Sequence, residues 1–248
     1  MSKQAAFGTS LAYGVAQVET STIVGTITGD GDARTILTCD GMTGNPITTD
    51  VAVLTGDTPQ AVAVKIAAAL NLIANITAKF AITSAGATVI CTRLAAAAND
   101  ATMNLDVNNE SCTGLTDAPT SANTRAGAAS GVIANVSSIG GPGLALDTED
   151  VTTHDSTSGW EEVVGTILRT GEISLEIVYD PAAATANATT GLVYLEKERI
   201  YAFFVLTFPD TTAWSFRGYV TGFEPSMPVD GALTASVSIK ISGVPTLA

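Results

Sequence analysis

A chain of 248 residues and 25.1 kDa, 46% hydrophobic, is long enough for one large or two ordinary domains and can bury a core. Its 24 Asp and Glu against 11 Lys and Arg give a net charge of −13, which argues against nucleic-acid binding by phosphate neutralisation, since that needs clustered cations. One His and three Cys leave little material for a metal site.

Residues 1–20 are short and polar, with isolated Phe7, Leu11, Tyr13 and Val15 and no period, and read as an extended arm. The start has one Lys and no apolar run, so it does not read as a secretory signal. From Ser21 to Gly127 the pattern is that of a small α/β module. IVGTIT alternates, GDGD turns and ARTILTCDGM resumes the alternation, which predicts a hairpin. GNP is a second turn, and ITTDVAVLTG is another strand. Asp57 or Thr58 then caps a helix whose first turn suits Pro59. Val62, Ile66, Ala69, Leu70 and Ile73 repeat along one face, Lys65 lies off it, and the helix is expected to end near Asn75. KFAITSAGATVICTRL predicts two strands around Ser84-Ala85-Gly86, and ATMNLDVN a last one. Cys39, Cys91 and Cys112 read as buried reduced thiols.

TSANTRAGAASGVIANVSSIGGPG has no period and reads as a linker or partly ordered loop. The longest uncharged stretch, Ala126 to Leu146, is too rich in Gly and Ser, with Pro142, to read as a membrane span. The rest is mostly β. LALDTEDVTTHD alternates. GEISLEIVYDP places Ile173, Leu175, Ile177 and Tyr179 on one face. A short helix is expected over Ala188 to Arg199, with Leu192, Leu195 and Arg199 sharing a face. RIYAFFVLTF reads as a buried strand, and TAWSFRGYVTGFEP as a long one that Gly218 and Gly222 allow to bulge. ALTASVSIKISG turns Leu233, Ala235, Val237, Ile239 and Ile241 inward.

Three blocks carry a resemblance: DVTTHDS at Asp150 to Ser156 followed by Trp160, GEISLEIVYDP at Gly171 to Pro181, and WSFRGYVTGFEPSMPVDGALTASVSIKISGVPTL at Trp214 to Leu247. In order and spacing they resemble the tail tube (major tail) protein of bacteriophages with long, non-contractile tails. The resemblance implies a mainly β fold, a tail-tube β-sandwich or barrel with one packed helix. It implies hexameric rings stacked into a hollow tube that conducts phage DNA without specific binding. Residues 1–20 are then the arm of the tube domain, 128–248 its body, and 21–127 an inserted outer α/β module absent from simpler relatives. The implied partners are copies of the chain itself and tape-measure, tail terminator and tail tip proteins, with no membrane. The implied location is the virion tail tube, assembled in the host cytoplasm. The family's loop at Val151, Thr152, Thr153, His154, Asp155 and Trp160 is expected to join successive rings. A related secretion tube and a surface adhesin or carbohydrate-binding module are the alternative readings.

No enzyme and no cofactor are expected. His154-Asp155-Ser156 invites a catalytic triad, but adjacent residues point apart and no second His exists. The carboxylates Asp30 and Asp32, and Asp147, Glu149 and Asp150, lack the later Glu of a calcium loop. Four Asn-X-Ser/Thr triplets are chance in so Thr-rich a chain. The charge is most skewed from residue 128 onward, with 14 acids against 5 bases. Around a channel, such a wall repels phosphates.

Overall fold

The computed structural model describes residues 8–118, 120–156 and 160–247. Phe7 of the arm and residues 157–159, just before Trp160, lie outside them. The chain is mainly β and divides into two compact units, one of Gly14–Ser130 and one of the residues up to Tyr13 together with those from Gly131 onward. It passes between them within β1 (Ser10–Val15) and within β9 (Ala128–Val132).

The unit of residues 14–130 contains β2 (Val18–Thr22), β3 (Gly31–Thr38), β4 (Ile47–Val53), α1 (Pro59–Leu70), α2 (Ala74–Thr77), β5 (Phe80–Ala85), β6 (Thr88–Arg93), β7 (Asn104–Asn109) and β8 (Ala122–Arg125). The strands form two antiparallel sheets, ordered β5-β6-β2-β8 and β4-β3-β7. Alternation decides what each strand buries: Leu37 from β3, Val51 and Val53 from β4, Val89 and Cys91 from β6, Leu105 and Val107 from β7. Thr58 Oγ1 accepts from the Ala61 N–H at 3.3 Å and Pro59 opens α1, so the helix starts where its orphan donors are met. Its buried stripe is Val62, Ala63, Ile66, Ala67 and Leu70. The helix stops at Asn71, earlier than expected, and the separate turn of α2 carries the stripe on to Ile76. All three cysteines are buried free thiols, as their composition implied; burial pushes the Cys91 thiol up to about 12.

Two expectations fail in this unit. IVGTIT is not a strand: Ile23 and Ile27 are buried, but among the described residues the segment makes a single isolated bridge, Val24 to Thr116, with another from Gly29 just after it to Thr113, and β3 pairs instead with β4 and β7. Residues 18–20, read with the arm, pair with β6 in the register Glu19 to Cys91. The ends of the unit meet: a Cβ added at Gly14 would lie 3.0 Å from the backbone N of Ser130. Beside them the buried Gln17 holds the chain of Asp100, accepting from its N–H at 2.7 Å and donating to its carbonyl at 2.8 Å.

The second unit adds β10 (Val136–Gly140), β11 (Leu144–Asp150), β12 (Val163–Thr170), β13 (Glu172–Val178), α3 (Leu192–Lys197), β14 (Ala202–Thr207), β15 (Ala213–Ser226) and β16 (Thr234–Leu247). Its curled half-barrel sheet runs β10-β13-β16-β15-β14-β1-β9. Ile173, Leu175 and Ile177 face Ile239, Val237 and Ala235 in register, and α3 lays Leu192 and Leu195 into the core beside β15. Phe204 stacks on Phe216 with centroids 5.7 Å apart. The helix is shorter than expected: Arg199 has φ +52 and lies past its end. β15 is irregular at Ser215/Arg217 and at Val220/Gly222, close to the two glycines expected to permit it.

The expected linker is largely strand. β8 is an edge of its four-stranded sheet, and β9 and β10 are the two edges of the seven-stranded one. Edge strands bury little side chain, so Ala, Ser and Gly suffice and no apolar period is written into them. β12, within EEVVGTILRT, was also not anticipated; it pairs with β11 as a separate two-stranded hairpin.

Candidate assembly surface

The β11–β12 hairpin is paired from Leu144 opposite Thr170 to Asp150 opposite Val163, with an irregularity between Leu146 and Thr148. The bulge brings Asp147 to Arg169, and Thr166 Oγ1 donates to the Asp147 carbonyl at 3.0 Å. Alternation along β11 predicts one buried face. Instead Leu144, Leu146, Val163, Val164, Ile167 and Leu168 are all exposed. Leu146 lies opposite Leu168, while Ile167 points to the reverse face, so exposed apolar side chains stand on both faces of the ribbon, as at surfaces that other molecules cover.

At the tip, polar side chains tie Asp150 to Ser156 together. Asp150 Oδ1 accepts from the Thr152 N–H at 2.8 Å, and the hydroxyl and N–H of Thr152 together hold the Asp150 carboxyl below its ordinary pKa. Ser156 Oγ accepts from the Thr153 N–H at 2.9 Å, and Thr152 Oγ1 accepts from the Glu162 N–H at 2.9 Å, tying the two sides of the loop. The expected ring-joining residues Val151, Thr152, Thr153, His154, Asp155 and Trp160 are therefore all in this tip, and all are exposed. Trp160 is 77% exposed and takes no part in the core of its unit. Sequence reasoning missed the flanks of the hairpin. The one available signal was the run of Val163, Val164, Ile167 and Leu168 in an unassigned segment.

On the solvent face of the large sheet, Glu172 lies opposite Lys240 and Glu176 opposite Ser236, whose hydroxyl donates to Glu176 Oε1 at 2.7 Å. Glu224 sits on the other flank of Ser236. Among the described residues no group of three or more His, Cys, Asp and Glu is placed to hold a metal ion, and no helix is long and apolar enough to cross a membrane.

Bare sheet edges and an exposed apolar hairpin are features of a structural β subunit whose surface is covered by other subunits. A family model described as the lambda phage tail tube protein matches residues 116–248, more than half of the chain. The chain belongs to this family, and its role is that of a structural tail tube protein of a virion. Among solved structures, a chain of the virion of a native gene transfer agent particle is 18% identical, with 48% of this chain and 88% of that one covered and a TM-score of 0.42. A chain of the tail of an empty gene transfer agent particle, refined with C6 symmetry, is 17% identical, with 48% and 86% covered and a TM-score of 0.42. One from the baseplate of the anti-feeding prophage is 9% identical, with 51% and 87% covered and a TM-score of 0.39. No curated protein matches the chain.

Proposed function

We propose that the chain forms hexameric rings that stack into a hollow tube, through which phage DNA passes into the host without specific binding. The observation that carries this reading is the exposed apolar hairpin, whose surface a lone subunit would have no reason to leave in water. Lateral pairing of bare sheet edges closes each ring and hides strands that would otherwise aggregate. The tip at Val151–Asp155 and Trp160 joins successive rings, and tape-measure, tail terminator and tail tip proteins are the further partners. Assembly takes place in the host cytoplasm, and no step of it calls for catalysis or a cofactor.

The unit of residues 14–130 is an insertion carried on the outside of the tube. Its touching ends support this, because a domain whose ends meet replaces a loop without pulling its host apart. The sheet face with Glu176, Ser236 and Glu224, further along the strands from Lys240, lines the lumen and repels phosphates. At physiological salt the repulsion reaches about 8 Å, enough to keep DNA from settling on the wall. Electron microscopy of the purified protein tests the reading. Tubes or rings are the expected result, and a protein that stays monomeric at high concentration refutes it.

A further inference from the structure

We propose that a groove at the base of the β11–β12 hairpin is the socket for the hairpin tip of a second copy. This rests on the tip being a contact between rings. It adds which surface of the neighbour the tip meets.

The groove exists because β13 is shorter than β16. Their pairing ends with Glu172 opposite Lys240, and past that point β16 has β15 alone as its ladder partner. The hairpin base stands beside this free half. Between them lies a groove of about 560 Å³ lined by Leu144, Ile167, Leu168 and Val244, with Arg169 and Lys240 at its polar margin. Val244 is 95% and Leu168 80% exposed, so the groove is apolar and open to solvent. Among the described residues no carboxylate lines it, and Asp147 and Glu172 stand outside it, paired with its two bases.

The tip is its complement. Trp160 is followed directly by Glu161 and Glu162, and Asp150 and Asp155 precede it; from Thr148 to Leu168 there is no Lys or Arg at all. An exposed indole flanked by acids fits an apolar groove flanked by bases. Arg169 and Lys240 already touch Asp147 and Glu172, but these pairs are exposed, and a guanidinium has donors beyond the Nε–H it uses there.

A tip cannot fill its own groove. Leu144 to Asp150 is extended chain that separates base from tip by about 20 Å. The occupant is therefore the tip of another copy. Tip and socket are different surfaces, so the contact is heterologous: each copy that offers a tip leaves a socket filled by the next, and the series continues without closing.

Charge reversal tests this. Glu161→Lys with Glu162→Lys should leave the thermal unfolding of the subunit in place; Arg169→Glu with Lys240→Glu should lower it slightly, since the new carboxylates face Asp147 and Glu172, yet leave the subunit folded. Each should raise the concentration needed for tubes by about tenfold or more. The four changes combined should restore tubes. If either variant assembles normally, or the combined variant remains folded yet forms no tubes, the socket is wrong. If Trp160→Ala blocks tubes in that second case, the tip is still a contact and only its socket is misplaced. If Trp160→Ala also assembles normally, the ring-joining role itself falls. Covalent trapping gives a second measurement. Glu161→Cys with Val244→Cys should oxidise in tubes to a ladder beyond dimers, since the native thiols are buried. Dimers from Glu161→Cys alone would mean a tip-to-tip contact and overturn the proposal.

Discussion

Replacing Trp160 by Ala separates the stability of the subunit from the stability of the tube. The side chain is 77% exposed in its own unit, so its loss should change unfolding by no more than about 0.5 kcal/mol, the range of ordinary surface substitutions. If another subunit covers it, the balance differs. An indole offers roughly 150 Å² or more to bury, worth about 3–4 kcal/mol at 25 cal/mol/Å². Immobilising the side chain returns about 1 kcal/mol of that. A net loss of about 2 kcal/mol or more per contact remains, in the range of aromatic anchors. By the relation of 1.4 kcal/mol per factor of ten, that is roughly a thirtyfold rise in the concentration at which tubes appear. Sedimentation of tubes against a dilution series, with thermal unfolding on the same samples, reads both quantities. Tubes at the original concentration would refute the contact, and a large fall in melting temperature would place Trp160 in packing instead.

Replacing residues 14–130 by a short linker should leave a protein that still forms tubes under electron microscopy, and the excised unit should unfold cooperatively by itself. Gly218→Ala should destabilise the second unit by about 1–3 kcal/mol, because the new Cβ would lie 2.4 Å from the Lys240 carbonyl oxygen, whereas Gly222→Ala, whose Cβ would meet Ser238 at 3.7 Å, should cost far less; denaturant titration distinguishes them. For Asp100, burial opposes ionisation, but the Thr102 hydroxyl and N–H, the Asp40 N–H and the Cys39 thiol outweigh it and hold its pKa at about 2 against an ordinary 3.8. The folded value is depressed, so its stabilisation is present above the unfolded pKa and is lost as pH falls from about 4 towards 2; partial exposure keeps it well under about 2 kcal/mol. Asp100→Asn should flatten the acid limb of the unfolding curve of that unit within this window.

Strands whose burial is internal to one unit were legible from alternation alone. Ile173, Leu175 and Ile177 in β13 and Ala235 to Ile241 in β16 lie where period two places them, because the face they cover is made by the same chain. Helix α1 was legible from Thr58, Pro59 and its stripe. The edge strands were not, because Ala128–Val132 and Val136–Gly140 have little to bury. Ile23 and Ile27 misled in the opposite direction: both are buried without belonging to a strand. Leu144 and Leu146 are the informative failures. Their alternation is real, but the described residues of their own unit leave each about half exposed. Periodicity records burial in whatever state selection acted on, and for a subunit that state includes its neighbours. The tip residues were singled out only through the family's DVT block, since polar loop residues carry no period.

The contact between Gly14 and Ser130 also bears on how the chain folds. β1 lies next to β9 in the large sheet, yet more than a hundred residues separate them in sequence. Joining such distant segments costs loop-closure entropy and slows folding. Once the intervening unit has folded on its own contacts, its first and last residues, Gly14 and Ser130, lie side by side. The long loop has then been closed in advance, and β1 meets β9 as though across a short turn. A unit whose two ends meet is kinetically almost invisible to the strands it separates, provided that it folds first.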